Sequence, residues 1–295
     1  MNYSIVIATY NRAELLKNNI KALARQNVPK DSYEVIVVND GSTDRTEAVV
    51  KEFISAYLDM NIVYLKQPNG GPAKARNLGV KQAKGNIVFF TDDDCVVPDK
   101  WIETLADGYR RHPEVAGVGG WYEYPKEMYQ KSAFVTYTMW WMQKWYGIES
   151  KKEINNDSFR KNPAGNTSNM SYLKSILEES GGFDETINFV GMIDWDLKKR
   201  IHDLGYPLLF IPYPVTHLKP LGAKEIIRKF FNRGRGSHRL SKKNPELFPI
   251  YVPYFIRALR RINFERGPLS MRYMAFIDYF FTKLGWEYQK RYGEK

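Results

Sequence analysis

The sequence predicts an α/β protein: an open, mostly parallel sheet flanked by helices, with a basic helical region at its C-terminal end. Three observations predict it. Short Val/Ile-rich runs recur and end in polar residues, segments with apolar residues at helical spacing separate them, and the excess positive charge sits in the last quarter of the chain. Of 295 residues, 44 are Lys or Arg and 33 are Asp or Glu, a net charge of +11. Between Gly222 and Lys295 there are 17 basic and 6 acidic residues, so this stretch carries the whole excess.

The elements follow in order. "YSIVIATY" (Tyr3 to Tyr10) and "YEVIVVND" (Tyr33 to Asp40) read as buried parallel strands. Between them, "NRAELLKNNIKALARQ" sets Leu15, Leu16, Ile20 and Leu23 at helical spacing, and "TEAVVKEFISAY" repeats the pattern after the second strand. "NIVYLKQ" and "NIVFFTDDD" supply further strands, with the helix "PAKARNLGVKQAKG" between them ended by Gly85. Such alternation predicts right-handed crossovers. After Trp101 the pattern loosens. "GVGGWYEY" predicts a strand and "SAFVTYTMWWMQKWYGI" an aromatic helix. "NPAGNTSNMSYLKSILEESGGFDE" reads as a loop, a short helix and a glycine turn, "VGMIDWDLKKRIHDLGY" as a helix and "PLLFIP" as a strand.

Composition narrows the class. The hydrophobic fraction of 43% and charged fraction of 26% suit a folded soluble chain rather than a disordered one. The single cysteine, Cys95, excludes an internal disulfide framework and a cysteine-based zinc cluster, which fits a reducing compartment; a cytoplasmic location is the expectation. "MNYSIVIATYNR" lacks a signal-peptide pattern, and no apolar stretch approaches the length that spans a bilayer.

In "FFTDDDCVVPDKW" (Phe89 to Trp101), three consecutive carboxylates, Asp92, Asp93 and Asp94, close an apolar run. They repel one another unless a cation neutralises them, and a hard divalent ion would leave room for a substrate's phosphates. A solvated acidic turn is the competing interpretation. In open sheets ligands bind beyond the carboxyl ends of the strands, so Asp40 and the triplet converge on one crevice. Neither a P-loop nor a GxGxxG fingerprint is present, so phosphates there would need metal and basic residues.

"IVIATYNRAELL", "VIVVNDGSTDRT", "GGPAKARNLGV", "GNIVFFTDDDCVVPDKW", and "GNTSNMSYLKSILEESGGFDE" followed by "DWDLKKRIHDLGY" resemble, in order, the signatures of the family 2 glycosyltransferases. The resemblance covers about residues 3–220 and implies the nucleotide-sugar-binding GT-A fold. It implies a catalytic domain over 1–221, its nucleotide-binding half about 1–100 and its acceptor-binding half about 101–221, followed by the basic region 222–295. By the same resemblance Thr9, Arg12, Asp40 and Arg76 line the donor nucleotide site. Asp92 and Asp94 match a DxD metal motif for Mn2+ or Mg2+, in which one acid faces the ribose; Asp93 fits a Thr-Asp-Asp variant equally well. Asp194 matches the general base of inverting members, with Asp196 as competitor and Ile193 standing where a Glu is usual. His217 is a candidate metal or diphosphate ligand, and Asn169 and Trp195 are candidate acceptor residues.

The resemblance implies an inverting transfer from a nucleoside diphosphate sugar, a UDP-sugar first, to a glycan or lipid-linked acceptor. "KEIIRKFFNRGRGSHRLSKKNP" and "FIRALRRINFERG" suit an anionic membrane surface, at the inner face of the membrane. Alternatively Arg233, Arg235 and Arg239 belong to a flexible loop that orders over the donor diphosphate. Two other functions compete: a nucleic-acid-binding protein, suggested by the basic, aromatic tail, and a sugar nucleotidyltransferase, which also sets metal-binding acids on an α/β sheet. No nucleic-acid partner is expected, because the crevice is acidic and none of the familiar motifs is present.

Overall fold

A computed structural model describes residues 2–146, 153–156, 162–187, 189, 192–219, 221–245 and 269–293. The opening alternation forms β1 (Tyr3–Thr9), α1 (Ala13–Ala24), β2 (Tyr33–Asn39), α2 (Thr46–Ala56), β3 (Asn61–Lys66), α3 (Pro72–Gln82) and β4 (Ile87–Phe90). Next come β5 (Cys95–Val96), α4 (Trp101–Arg111), β6 (Gly117–Gly119), β7 (Tyr122–Glu123), α5 (Lys126–Lys131), α6 (Ala133–Tyr146) and β8 (Ile154–Asn156). The chain continues with β9 (Met170–Leu173), α7 (Lys174–Glu179), α8 (Ile193–Asp203), β10 (Leu208–Phe210) and β11 (Val215–His217). Two long helices follow, α9 (Ala223–Lys243) and α10 (Leu269–Tyr292).

Eight strands form the main sheet in the order β3-β2-β1-β4-β9-β6-β10-β8. The first four are mutually parallel, β9 runs antiparallel between β4 and β6, and β8 pairs antiparallel with β10. All seven positions of β2 are buried, as a strand covered on both faces requires. Strand order reverses at β1, which has β2 on one side and β4 on the other; this switch point opens the crevice that the sequence predicted.

"GVGGWYEY" is not one strand. Its two ends join different sheets, β6 the main one and β7 a three-stranded sheet ordered β5-β11-β7. The chain turns between them at Gly120, where a Cβ would lie 2.5 Å from the Tyr213 carbonyl. Asn169 fastens the same corner. Its side-chain oxygen accepts from the Trp101 indole N–H at 2.8 Å, and its amide donates to the Trp121 and Tyr213 carbonyls, each at 2.8 Å. It is fully buried, and these bonds are all made within the corner.

The described residues fall into two compact units. The first comprises Met1–Glu123, Trp145–Asn188 and Asp194–Leu218. The second comprises Tyr124–Lys144, Phe189–Ile193 and Lys219–Lys295, so it draws in more than the basic C-terminal region. The reason is aromatic: Phe134 and Tyr137 of α6 form one core with Phe230 of α9 and Met274 and Ala275 of α10. The Tyr137 hydroxyl also donates to Asp278 at 2.8 Å. Residues 255–267, part of the predicted membrane-facing tail, lie outside the described residues. Among the described residues no helix is long and apolar enough to cross a membrane.

α9 and α10 pack backbone to backbone. A Cβ on Gly234 would strike the Thr282 carbonyl, and one on Gly285 the Phe231 carbonyl. Gly234→Ala is therefore expected to lower stability by about 1–3 kcal/mol, outweighing the roughly 1 kcal/mol that Ala usually adds to a helix, as a lower thermal midpoint would show. Asn169→Ala strands the Trp101 indole N–H and should cost roughly 2–3 kcal/mol in urea unfolding. An unchanged midpoint with poorer use of the acceptor would instead return Asn169 to the acceptor site.

Candidate active site

The three carboxylates occupy a turn at the end of β4; Asp92 meets Arg76, while Asp93 and Asp94 share Arg12. The turn is tied by Cys95 N–H donating to the Asp92 carbonyl at 3.0 Å. Asn19, buried on α1, donates its amide to the Asp92 and Cys95 carbonyls at 3.0 and 2.9 Å. Sequence reading missed Asn19, because nothing in a helical stretch advertises a contact 73 residues away. Asp93 accepts from the Thr9 hydroxyl at 2.8 Å and from Arg12 at 2.9 Å. Arg12 also pairs with Asp94 at 2.9 Å, so one guanidinium bridges two buried carboxylates. Burial pushes the Asp93 carboxyl above its ordinary range, with Arg12 opposing and Asp94 reinforcing the shift.

Arg12 stands where it does because of the residue before it. Asn11 adopts a left-handed conformation, φ 53°, tolerable for Asn, and its side chain accepts from Thr43 N–H at 2.8 Å. This joins the end of β1 to the "DGSTD" turn and leaves Arg12 facing the turn that follows the neighbouring strand β4.

Strand register delivers His217. In the β5–β11 pair His217 lies opposite Cys95, and its Nε2 comes within 3.4 Å of the Asp94 carboxylate. Asp94, Cys95 and His217 bring one donor atom each within 4.8 Å of one another. Burial raises the Cys95 thiol well above its usual value. The Asp94 carboxylate is the hard oxygen donor that Mn2+ or Mg2+ takes, while the His217 imidazole is a borderline donor that suits Mn2+ better than Mg2+.

Arg76, on α3, links the triplet to the next candidate. Its Nη2 donates to Asp92 at 3.1 Å and its Nη1 lies 3.9 Å from Asp194, while the guanidinium sits over the Phe183 ring. Asp194 occupies the first turn of α8 and accepts from the Thr167 hydroxyl at 2.9 Å. Burial raises its carboxyl above the ordinary 3.8; Arg76 opposes this and Asp92 adds to it. Asp196 points elsewhere: it is buried and pairs with Arg200 at 2.8 Å, and Arg200 in turn donates to the Ser180 and Gly182 carbonyls. Trp195 is partly exposed beside Asp194, with the Lys198 ammonium 5.7 Å from its ring centre.

Asp40 is committed to the loop after β3. Its carboxylate accepts from Gln67 at 2.7 Å and from the Gly70 and Gly71 N–H groups at 2.8 and 2.9 Å. Gly71 has φ 90° and caps α3, so Asp40 also sets the start of the helix that carries Arg76. Arg233, Arg235 and Arg239 lie on α9 in the second unit rather than in a flexible loop, because Glu225 caps the Gly222 N–H at 2.8 Å and starts a 21-residue helix. Arg233 pairs with Asp278, and Arg235 bonds Gln289 at 3.1 Å and stacks on Phe189 at 4.1 Å.

Comparison with known proteins gives this arrangement its context. Residues 4–181 match the profile described as glycosyl transferase family 2. The glycosyltransferase AglE of Haloferax volcanii is 30% identical over 242 residues, covering 79% of this chain and 72% of that protein. TarS of Staphylococcus aureus, a poly(ribitol-phosphate) beta-N-acetylglucosaminyltransferase, is 32% identical over 139 residues; this is 45% of the chain and only 24% of TarS. Among solved structures, the mannosyltransferase PcManGT of Pyrobaculum calidifontis, in complex with GDP-Man and Mn2+, superposes with a TM-score of 0.61 at 19% identity, covering 98% of this chain and 73% of that one. TarS residues 1–349 with UDP-GlcNAc give 0.58 at 17% identity over 99% and 92%. The motifs, the switch point above β1 and the profile match agree: the chain is a glycosyltransferase of GT-A fold and belongs to glycosyl transferase family 2.

Proposed function

We propose that the protein moves a sugar from a nucleoside diphosphate sugar, a UDP-sugar first, to a hydroxyl of a glycan or lipid-linked acceptor, inverting the anomeric configuration with the help of Mn2+ or Mg2+. The observation that carries this is Arg76, whose two terminal nitrogens reach Asp92 and Asp194. One guanidinium thus spans the candidate donor carboxylate and the candidate base. The nucleotide sugars bound by TarS and PcManGT, and the Mn2+ in PcManGT, support the donor class and the metal.

In this mechanism Asp194 takes the proton of the acceptor hydroxyl as that oxygen bonds the anomeric carbon and the bond from that carbon to the diphosphate oxygen breaks. Thr167 orients the carboxylate, and Arg76 holds it beside the donor. Asp94 and His217 are the residues that would hold the metal, with Asp92 toward the ribose. When bound, the ion supplies positive charge against the departing diphosphate. Asp196, tied to Arg200, keeps the glycine turn at 180–182 in place and takes no proton. Thr9 and Arg12 hold Asp93 and Asp94 at the donor side, and Trp195 offers the acceptor a ring face.

Three outcomes test the assignment. Asp194→Asn should cut transfer by about 10²–10⁴ while UDP or GDP binding, followed calorimetrically, stays near wild type. Equal loss of nucleotide binding would overturn the division of roles. Because burial raises Asp194, and a base works only when deprotonated, the rate should climb with pH through a group above the ordinary carboxylate value of 3.8. A limb at or below that value would count against Asp194. Product NMR should report the inverted anomer; a retained one refutes the mechanism.

A further inference from the structure

α10 buries one face and leaves the other apolar. Met274, Ala275, Asp278, Gly285 and Gln289 are buried, and Gly285 meets α9. On the outer side Tyr273, Phe276, Phe280, Leu284, Tyr288 and Tyr292 recur every three or four residues, each 45–65% exposed. At 1.5 Å per residue this stripe is about 29 Å long. A water-facing helix normally presents polar residues there, and a contiguous patch of this kind marks an interaction surface. Lys283, Lys290 and Arg291 are exposed along it, with Glu287 as the one acid of that face.

We propose that this face of α10 docks on an anionic lipid surface, lying in the headgroup plane with its aromatic and leucine side chains in the interfacial region and its cations toward lipid phosphates. Tyrosine and phenylalanine suit that boundary, and long basic side chains reach past it to the headgroups. The helix lies along the surface rather than crossing, since its apolar content falls short of a span.

Charge selects this occupant over two others. A second copy would bring the same cationic face against itself across a two-fold axis, setting Lys283, Lys290 and Arg291 near their own equivalents. Residues 246–268 of this chain carry four Arg against two Glu and would also set positive charge on positive. Anionic lipid complements both the stripe and the excess of 17 basic over 6 acidic residues from Gly222 onward. Docking needs neither donor nor metal, so its failure and the failure of the transfer mechanism are separable.

The test is co-sedimentation of the full chain with vesicles of equimolar phosphatidylglycerol and phosphatidylcholine, and with phosphatidylcholine alone. Wild type should bind the first and leave the second. The combined variant Phe276→Gln, Phe280→Gln, Leu284→Gln, all at exposed helical positions, should keep its thermal midpoint and bind at least about tenfold more weakly. Lys283→Gln with Lys290→Gln and Arg291→Gln should erase the preference for anionic vesicles. No vesicle binding by wild type, or equal binding by the apolar variant, would overturn the proposal. So would a concentration-dependent doubling of mass that the apolar substitutions abolish, which would give the face to a second copy.

Discussion

Two arginines balance four carboxylates at the carboxyl end of the sheet, and the rest of the site is arranged around that imbalance. Arg12 bridges Asp93 and Asp94, and Arg76 bridges Asp92 and Asp194. Two positive charges cannot neutralise four negative ones in a partly desolvated crevice, so burial drives Asp93 and Asp194 toward the protonated form. A divalent ion beside Asp94 and His217 would complete the balance and let the carboxylates ionise together.

Holding like charges close requires a scaffold that fixes them, and each support comes from a different part of the chain. Asn19 on α1 holds the turn, Thr9 at the end of β1 holds Asp93, the β5–β11 register supplies His217, and Thr167 holds Asp194. Asp40 acts at one remove. It orders the loop at residues 67–71, and that loop starts the helix on which Arg76 is carried. These supports stand on strand ends and helix starts, whose positions the packed sheet determines.

Local patterns in the sequence carried the opening half of the fold. The runs at Tyr3 and Tyr33 became β1 and β2 within a residue of their expected ends, since strands covered on both faces are mostly apolar. The acids at the ends of β2 and β4 were legible for the same reason. Less legible was whatever depends on partners distant in sequence. β9, four residues long, was read into a loop and helix, yet it joins the two halves of the main sheet by running antiparallel between β4 and β6. The motif around Asn169 gave no sign of the corner that it ties to Trp101 and Trp121. The "GVGGWYEY" break required knowing that Tyr213 would lie against Gly120. Arg233 was expected in a flexible loop over the donor, and its partner Asp278 comes from α10.

The most direct check on the charge balance is Mn2+ uptake, followed by electron paramagnetic resonance as the ion is titrated into the protein with UDP or GDP present. A single bound Mn2+ per chain, lost in Asp94→Ala and retained in Asp194→Asn, is the expected result. Absence of bound Mn2+ with either nucleotide, or full uptake by the Asp94 variant, would contradict the site as built here and leave the carboxylate cluster balanced by its arginines alone.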